Sequence, residues 1–196
     1  EKATTIPTTL KDIDIDLCLQ NSKKLCVKID ELKPRVDEAI RQQKVMEVSF
    51  NNFERYELLK IAAKFTVKLY EAVDQWLKLS VTMTKIPFKE INVEIFKKDI
   101  QSLKDHAEKL KEESPKETEY PLLDELLSKI NEIEPYIKQL QQLSHGKMQL
   151  RHWNLLFESC DHKDQYHDEI TIGELLRFGI LFAKEKINEI TATSQG

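Results

Sequence analysis

Apolar residues recur along this chain at alternating intervals of four and three. Leu25, Ile29, Leu32, Val36 and Ala39 form the first such series, which places them on one stripe of a helix. Pro34 falls inside it, so the helix either bends there or begins nearby with Pro in its first turn. Residues 40–80 contain neither Gly nor Pro, and Leu59, Ala63, Val67, Tyr70, Val73 and Leu77 keep the spacing. One long helix ending before Pro87 is expected. Phe96, Ile100, Leu103, Ala107 and Leu110 make the cleanest stripe, within a helix over 88–111, with Lys97, Lys98, Lys104, Asp105, Glu108 and Lys109 on its other faces.

Ser114-Pro115-Lys116-Glu117 has the order of a helix start: an N-cap, Pro at the first position and a capping-box Glu. Pro121 blurs it, because its ring disfavours helix at Tyr120. The following helix should run to about 143 on Leu126, Ile130, Ile133, Ile137 and Leu140, with a kink at Pro135. His145-Gly146 punctuates the chain. A short helix over 147–158 carries Met148, Leu150, Trp153, Leu156 and Phe157. After a polar loop, Thr171 is an N-cap, Glu174 closes a capping box, and Ile170 with Leu175 forms a hydrophobic staple. That last helix, over 172–191, should bury Leu175, Phe178, Phe182, Ile187 and Ile190.

The N-terminus reads differently. Residues 1–10 are a Thr-rich, flexible lead-in, and residues 11–19 alternate strictly, with Ile13, Ile15, Leu17 and Leu19 on one side. Alternation signals a short strand, or else an extended approach to a helix. The expected fold is all-α, an elongated bundle of long antiparallel helices, with room for that one strand.

Composition supports helices. Charged residues are 33% of 196, and there are only 4 Gly and 6 Pro, too little turn chemistry for a many-stranded sheet. The net charge of −4 and the lack of a basic stripe give no electrostatic reason to expect nucleic acid. No apolar run reaches the length of a membrane span. Cys18, Cys26 and Cys160 form no even framework, which points to a reducing compartment. The chain opens on Glu1 and closes on Ser194-Gln195-Gly196, and both ends read as cut from something longer.

Candidate chemistry is thin. Asp12, Asp14 and Asp16 imitate half a calcium loop, but Leu17 stands where Gly is wanted and Lys23 where a bidentate Glu is needed. Cys160, His162 and His167 offer three zinc-type ligands at a spacing that fits no structural zinc pattern, so solvent-facing histidines are the simpler reading. There is no G-x-x-x-x-G-K-[ST] loop and no nucleophile elbow. A catalytic site and a cofactor are therefore not expected in this chain. The apolar stripes fit a bundle core better than a paired coiled coil, since Phe96 to Leu110 lasts only about two heptads.

The last third is more specific. Met148-Gln149-Leu150-Arg151-His152-Trp153 follows a helix containing Ile133-Glu134-Pro135-Tyr136-Ile137 and precedes Thr171-Ile172-Gly173-Glu174-Leu175-Leu176. In order and spacing these segments resemble dynein heavy chains, as does Tyr70-Glu71-Ala72-Val73-Asp74-Gln75-Trp76 upstream. Ile172 stands where the family has Leu, and Ser144-His145-Gly146-Lys147 replaces an Asn-Pro-type approach, as in a divergent member. The resemblance covers about residues 65–196, the helical start of the linker, and leaves 1–64 as a tail-proximal helical segment. It implies a non-catalytic piece that transmits force from the tail to an ATP-driven AAA+ ring on microtubules. ATP and Mg would bind only in that absent ring. Implied partners are the rest of the heavy chain, other heavy chains, and intermediate and light chains; microtubules would be met through the motor domain. The implied location is the cytoplasmic cytoskeleton, with a lean to the ciliary or flagellar axoneme. Trp76, Arg151, His152, Trp153, Thr171, Gly173 and Glu174 receive architectural roles. Trp153 is to fill core, and Arg151 either binds carbonyls or a carboxylate, or is solvated. A spectrin-like cytoskeletal scaffold is the alternative reading.

Overall fold

The structure, a computed structural model, describes residues 7, 9–46, 51–145, 147–161 and 166–194, with side chains of 43–46 and 51–53 also set aside. The order is α1 (Ile15–Met46), α2 (Asn51–Lys85), α3 (Val93–Glu113), α4 (Pro121–Ile133), α5 (Ile137–His145), α6 (Leu150–Ser159), α7 (Ile172–Arg177) and α8 (Lys184–Ser194). Single 3-10 turns occupy Phe88–Glu90, Glu134–Tyr136 and Ile180–Phe182. The fold is all-α. Among the described residues there is no strand, only an isolated antiparallel bridge between Pro87 and Thr171.

The alternating N-terminal segment is therefore not a strand. Residues 15–19 are the first turns of α1, and Asp14 is the reason: its Oδ1 accepts the Leu17 N–H at 3.1 Å while its carbonyl accepts from Cys18. That satisfies donors a helix start leaves open. Asp16 adds a carboxylate in the first turn, where the helix dipole favours it. Of the aspartates that imitate a calcium loop, Asp14 and Asp16 are thus helix-start chemistry, and Asp12 takes a left-handed φ of 57° in the turn before it. Of the lead-in 1–10, residues 1–6 and 8 lie outside the described residues, while the Leu10 N–H donates to Glu125 at 2.9 Å. Pro34 lies inside α1, and it supplies no N–H to the Asp30 carbonyl. Of the expected 40–80 helix, residues 47–50 lie outside the described residues, and α2 ends before Pro87 as expected.

Two compact units emerge. The first comprises Glu1–Asp74 and His106–Leu126; the second comprises Gln75–Asp105 and Leu127–Gly196. In the first, Ile29, Tyr56 and Ala63 form a small core with Cys26 and Val36 against it. Leu25 and Leu32, expected inside, are exposed. The covered face of α1 is instead Ser22 and Ile29, with Cys26 and Val36 half-buried beside them. Along α2 the buried face is broader than expected, because Phe65, Leu69 and Ala72 add a second stripe beside Ala63, Tyr70 and Val73. Phe65 packs on Tyr120, with centroids 4.6 Å apart. Burial pushes the Tyr70 phenol up to about 12, helped by its contact with Cys18.

In the second unit the expected stripes are buried: Phe96, Ile100 and Leu103 on α3, and Ile130, Ile133, Ile137 and Leu140 along α4 and α5. Asn92 caps α3 through bonds from the Glu94 and Ile95 N–H groups. Pro135 converts one turn to 3-10, and Lys104 holds that turn with both Glu134 oxygens at 2.8 Å. Two helix boundaries differ from expectation. The segment Ser114–Tyr120 is not helical, and α4 starts at Pro121. Tyr120, held extended by the following ring, supplies the first carbonyl to Leu123 and Asp124. The 172–191 helix is interrupted after Arg177, because Gly179 adopts φ 74° and turns the chain into the 3-10 segment. Phe182, expected inside, is consequently 63% exposed.

Candidate functional site

The motifs of the last third, around Pro135, Trp153 and Thr171, all lie in the second unit. α6 presents His152, Trp153, Leu156 and Phe157 inward, the i, i+3, i+4 pattern that puts them on one face. Trp153 is only 4% exposed. Its ring stacks on Tyr166 at 4.5 Å and 9°, and meets the edge of Phe88 at 6.1 Å and 80°. Phe157 contacts Tyr166 and Phe178 edge to face. Five rings thereby tie together the turn after α2, α6, the loop before α7 and the end of α7. Offset and edge-on aromatic pairs each add roughly 0.5–1.5 kcal/mol beyond the area they bury.

His152 has a task that its residue type did not announce. Its Nδ1 accepts the Gln149 N–H at 3.0 Å, so the ring carries its proton on Nε2. That bond ties off the chain at the start of α6, where the Gln149 carbonyl also accepts from His152 and Trp153. Arg151 lies on the exposed side of α6.

Thr171 joins two functions. Its Oγ1 accepts the Glu174 N–H at 3.2 Å as the N-cap of α7. It also sits in the bridge to Pro87, next to the 2.7 Å bond from the Phe88 N–H to the Ile170 carbonyl. The reciprocal half of a capping box is not formed among the described residues. The Glu174 carboxylate instead meets His167 Nε2 at 3.1 Å. Gly173 packs close to the last turn of α2: a Cβ there would lie 3.5 Å from the Met83 carbonyl oxygen and 3.6 Å from Thr84. Trp76, 7% exposed, borders an apolar cleft of about 470 Å³ with Met83, Ile133, Pro135, Tyr136, Leu176 and Phe182.

Elsewhere in the unit, Glu94 accepts from Gln141 and meets His145 Nε2 at 2.8 Å. The His145 contact, then that of Gln141, holds the Glu94 carboxyl below its ordinary range. Of the zinc-type residues, His162 lies outside the described residues and His167 is engaged with Glu174. Among the described residues no three His, Cys, Asp or Glu side chains gather as a metal site, and no helix is long and apolar enough to cross a membrane.

Tyr166, Phe88 and Phe178 were missed as members of the ring cluster, since their ring contacts, from Phe157–Tyr166 to Phe88–Trp153, reach outside any one helix and follow no helical spacing. Gly179 did carry one: a lone Gly inside a helical pattern is a standing candidate for a left-handed stop.

Fold and site together define an all-helical packing unit whose motif residues are joints between helices. The family described as "Dynein heavy chain, N-terminal region 2" matches residues 56–196. That span is well over half of the chain, and the chain belongs to this family, as a segment of a dynein heavy chain. It begins nine residues before the stretch in which the sequence motifs carry the resemblance. A comparison with curated proteins gives no match.

Proposed function

We propose that this segment is a passive mechanical element, carrying force between the tail of a dynein heavy chain and its ATP-driven ring, with no catalysis or cofactor of its own. The observation that carries the reading, beside family membership, is the way the second unit joins its helices. The Pro87–Thr171 bridge, the five-ring cluster and the Lys104–Glu134 brace couple segments distant in sequence. A lever has to resist bending, and interlocked helices with side chains packed at crystal-like density transmit strain. The scarcity of Gly, with one left-handed glycine among the described residues, fits the same demand.

Non-catalytic character rests on sequence: a chain with 4 Gly and no phosphate-cradling loop offers ATP no P-loop site. Association with other heavy chains and with intermediate and light chains, and a place on the cytoskeleton, in an axoneme or elsewhere, follow from the family and belong to the proposal.

The test is made in the parent heavy chain. Trp153→Ala should slow microtubule gliding several-fold while the ring's basal ATP turnover persists. Gliding at the wild-type speed would overturn the mechanical role. ATP hydrolysis by the isolated 196-residue segment would overturn its non-catalytic character.

A further inference from the structure

The segment Ser114–Tyr120, which is not the helix start its sequence imitates, exposes a different signal. Of the six prolines, the other five follow Ile6, Lys33, Ile86, Tyr120 and Glu134, so Ser114 is the one Ser or Thr in the chain directly followed by Pro. It sits just past the end of α3, outside any helix, and residues 116–119 beyond it are exposed. Ser114 and Pro115 are themselves half-buried, and the bond from the Thr118 N–H to the Pro115 carbonyl closes a turn directly after them. We propose that Ser114 is a phosphorylation site for a proline-directed protein kinase, and that the phosphate loosens the corner between α3 and α4. In the reaction Ser114 Oγ bonds to the γ-phosphorus of ATP. The bond from that phosphorus to the bridging oxygen breaks, ADP leaves, and the hydroxyl proton passes to the kinase's base.

The consequence follows from what surrounds the hydroxyl. Ser114 Oγ donates to the Lys111 carbonyl at 2.7 Å, closing the last turn of α3. Phosphorylation removes that donor and places nearly two negative charges at a helix C-terminus, the end that disfavours them. Glu112, Glu113, Glu117 and Glu119 are close in sequence and add repulsion. Of the nearby cations Lys109, Lys111 and Lys116, Lys111 is held by Asp124 of α4 at 2.6 Å. A phosphate that captured Lys111 would take it from that link.

The experiment incubates the full chain with a proline-directed kinase and ATP, and locates the phosphate by mass spectrometry. Wild type should take up one phosphate, at Ser114. Ser114→Ala and Pro115→Ala should take up none, with circular dichroism confirming that both stay helical. The phosphorylated chain should melt about 2–4 °C below the unmodified one. No uptake, or equal uptake by Pro115→Ala, would overturn the site. Uptake at Ser114 with an unchanged or raised melting point would overturn its effect on the corner.

Discussion

Replacing Trp153 by Ala tests the ring cluster most directly. The side chain is 4% exposed, so nearly all of its surface leaves water on folding. A buried Trp removes about 150–250 Å², which at ~25 cal/mol per Å² is worth roughly 4–6 kcal/mol as an upper bound. The stack on Tyr166 and the edge contact with Phe88 add to this, and partial collapse of the cavity subtracts. Aromatic-to-Ala substitutions in cores cost about 3–5 kcal/mol, and that is the expected loss. In a chain of this length each kcal/mol moves the midpoint by about 2–4 °C, so the melting temperature should fall by roughly 6–20 °C. The assay is a thermal melt by circular dichroism, with a urea titration beside it. Trp76, the other tryptophan, serves as a fluorescent reporter within the same unit. Trp153→Phe should recover part of the loss, since a smaller ring keeps some of both contacts. A Trp153→Ala midpoint within about 1 °C of wild type would refute the claim that this cluster holds the unit together.

Two glycines should respond oppositely. Gly179→Ala forces an L side chain to φ 74° and should cost about 1 kcal/mol by urea titration, although a Cβ there meets only Phe182 at 3.7 Å. Gly173→Ala meets ordinary van der Waals distances inside α7, and should be neutral or stabilising by up to about 1 kcal/mol; equal losses at both would contradict the backbone argument. Tyr70 supplies an alkaline prediction: its folded-state value, raised from 10 to about 12, means that its contribution is complete below pH 10 and is lost as pH rises through the folded value. Tyr70→Phe should therefore flatten the fall in stability above pH 10, read from urea midpoints at stepped pH, and parallel curves for the two proteins would rule the assignment out.

Much of this protein is set locally and was legible in its sequence. A 4-3 spacing decides which face of α3 is buried, because only those positions share a stripe, and Phe96, Ile100 and Leu103 lie where the pattern puts them. Thr171 caps α7 because a short hydroxyl three residues from an amide can reach it. The order of motifs around Pro135, Trp153 and Thr171 is likewise a property of the chain, and it carried the resemblance to dynein heavy chains that the family match shows. Other features were decided by competition between neighbours. Leu25 and Ile29 share one stripe, yet only Ile29 is covered, since coverage depends on where α2 lies. The alternation of 11–19 is compatible with a strand until Asp14 caps a helix over it, and among the described residues there is no strand for it to pair with. Ser114-Pro115-Lys116-Glu117 and Tyr120-Pro121 offer two helix starts, and the second is the one taken. Helical spacing puts Trp153 and Phe157 on one face of α6, but what brings Phe88, Tyr166 and Phe178 to that face is tertiary alone: they come from a turn, a loop and the end of another helix, and no spacing along the chain encodes that meeting.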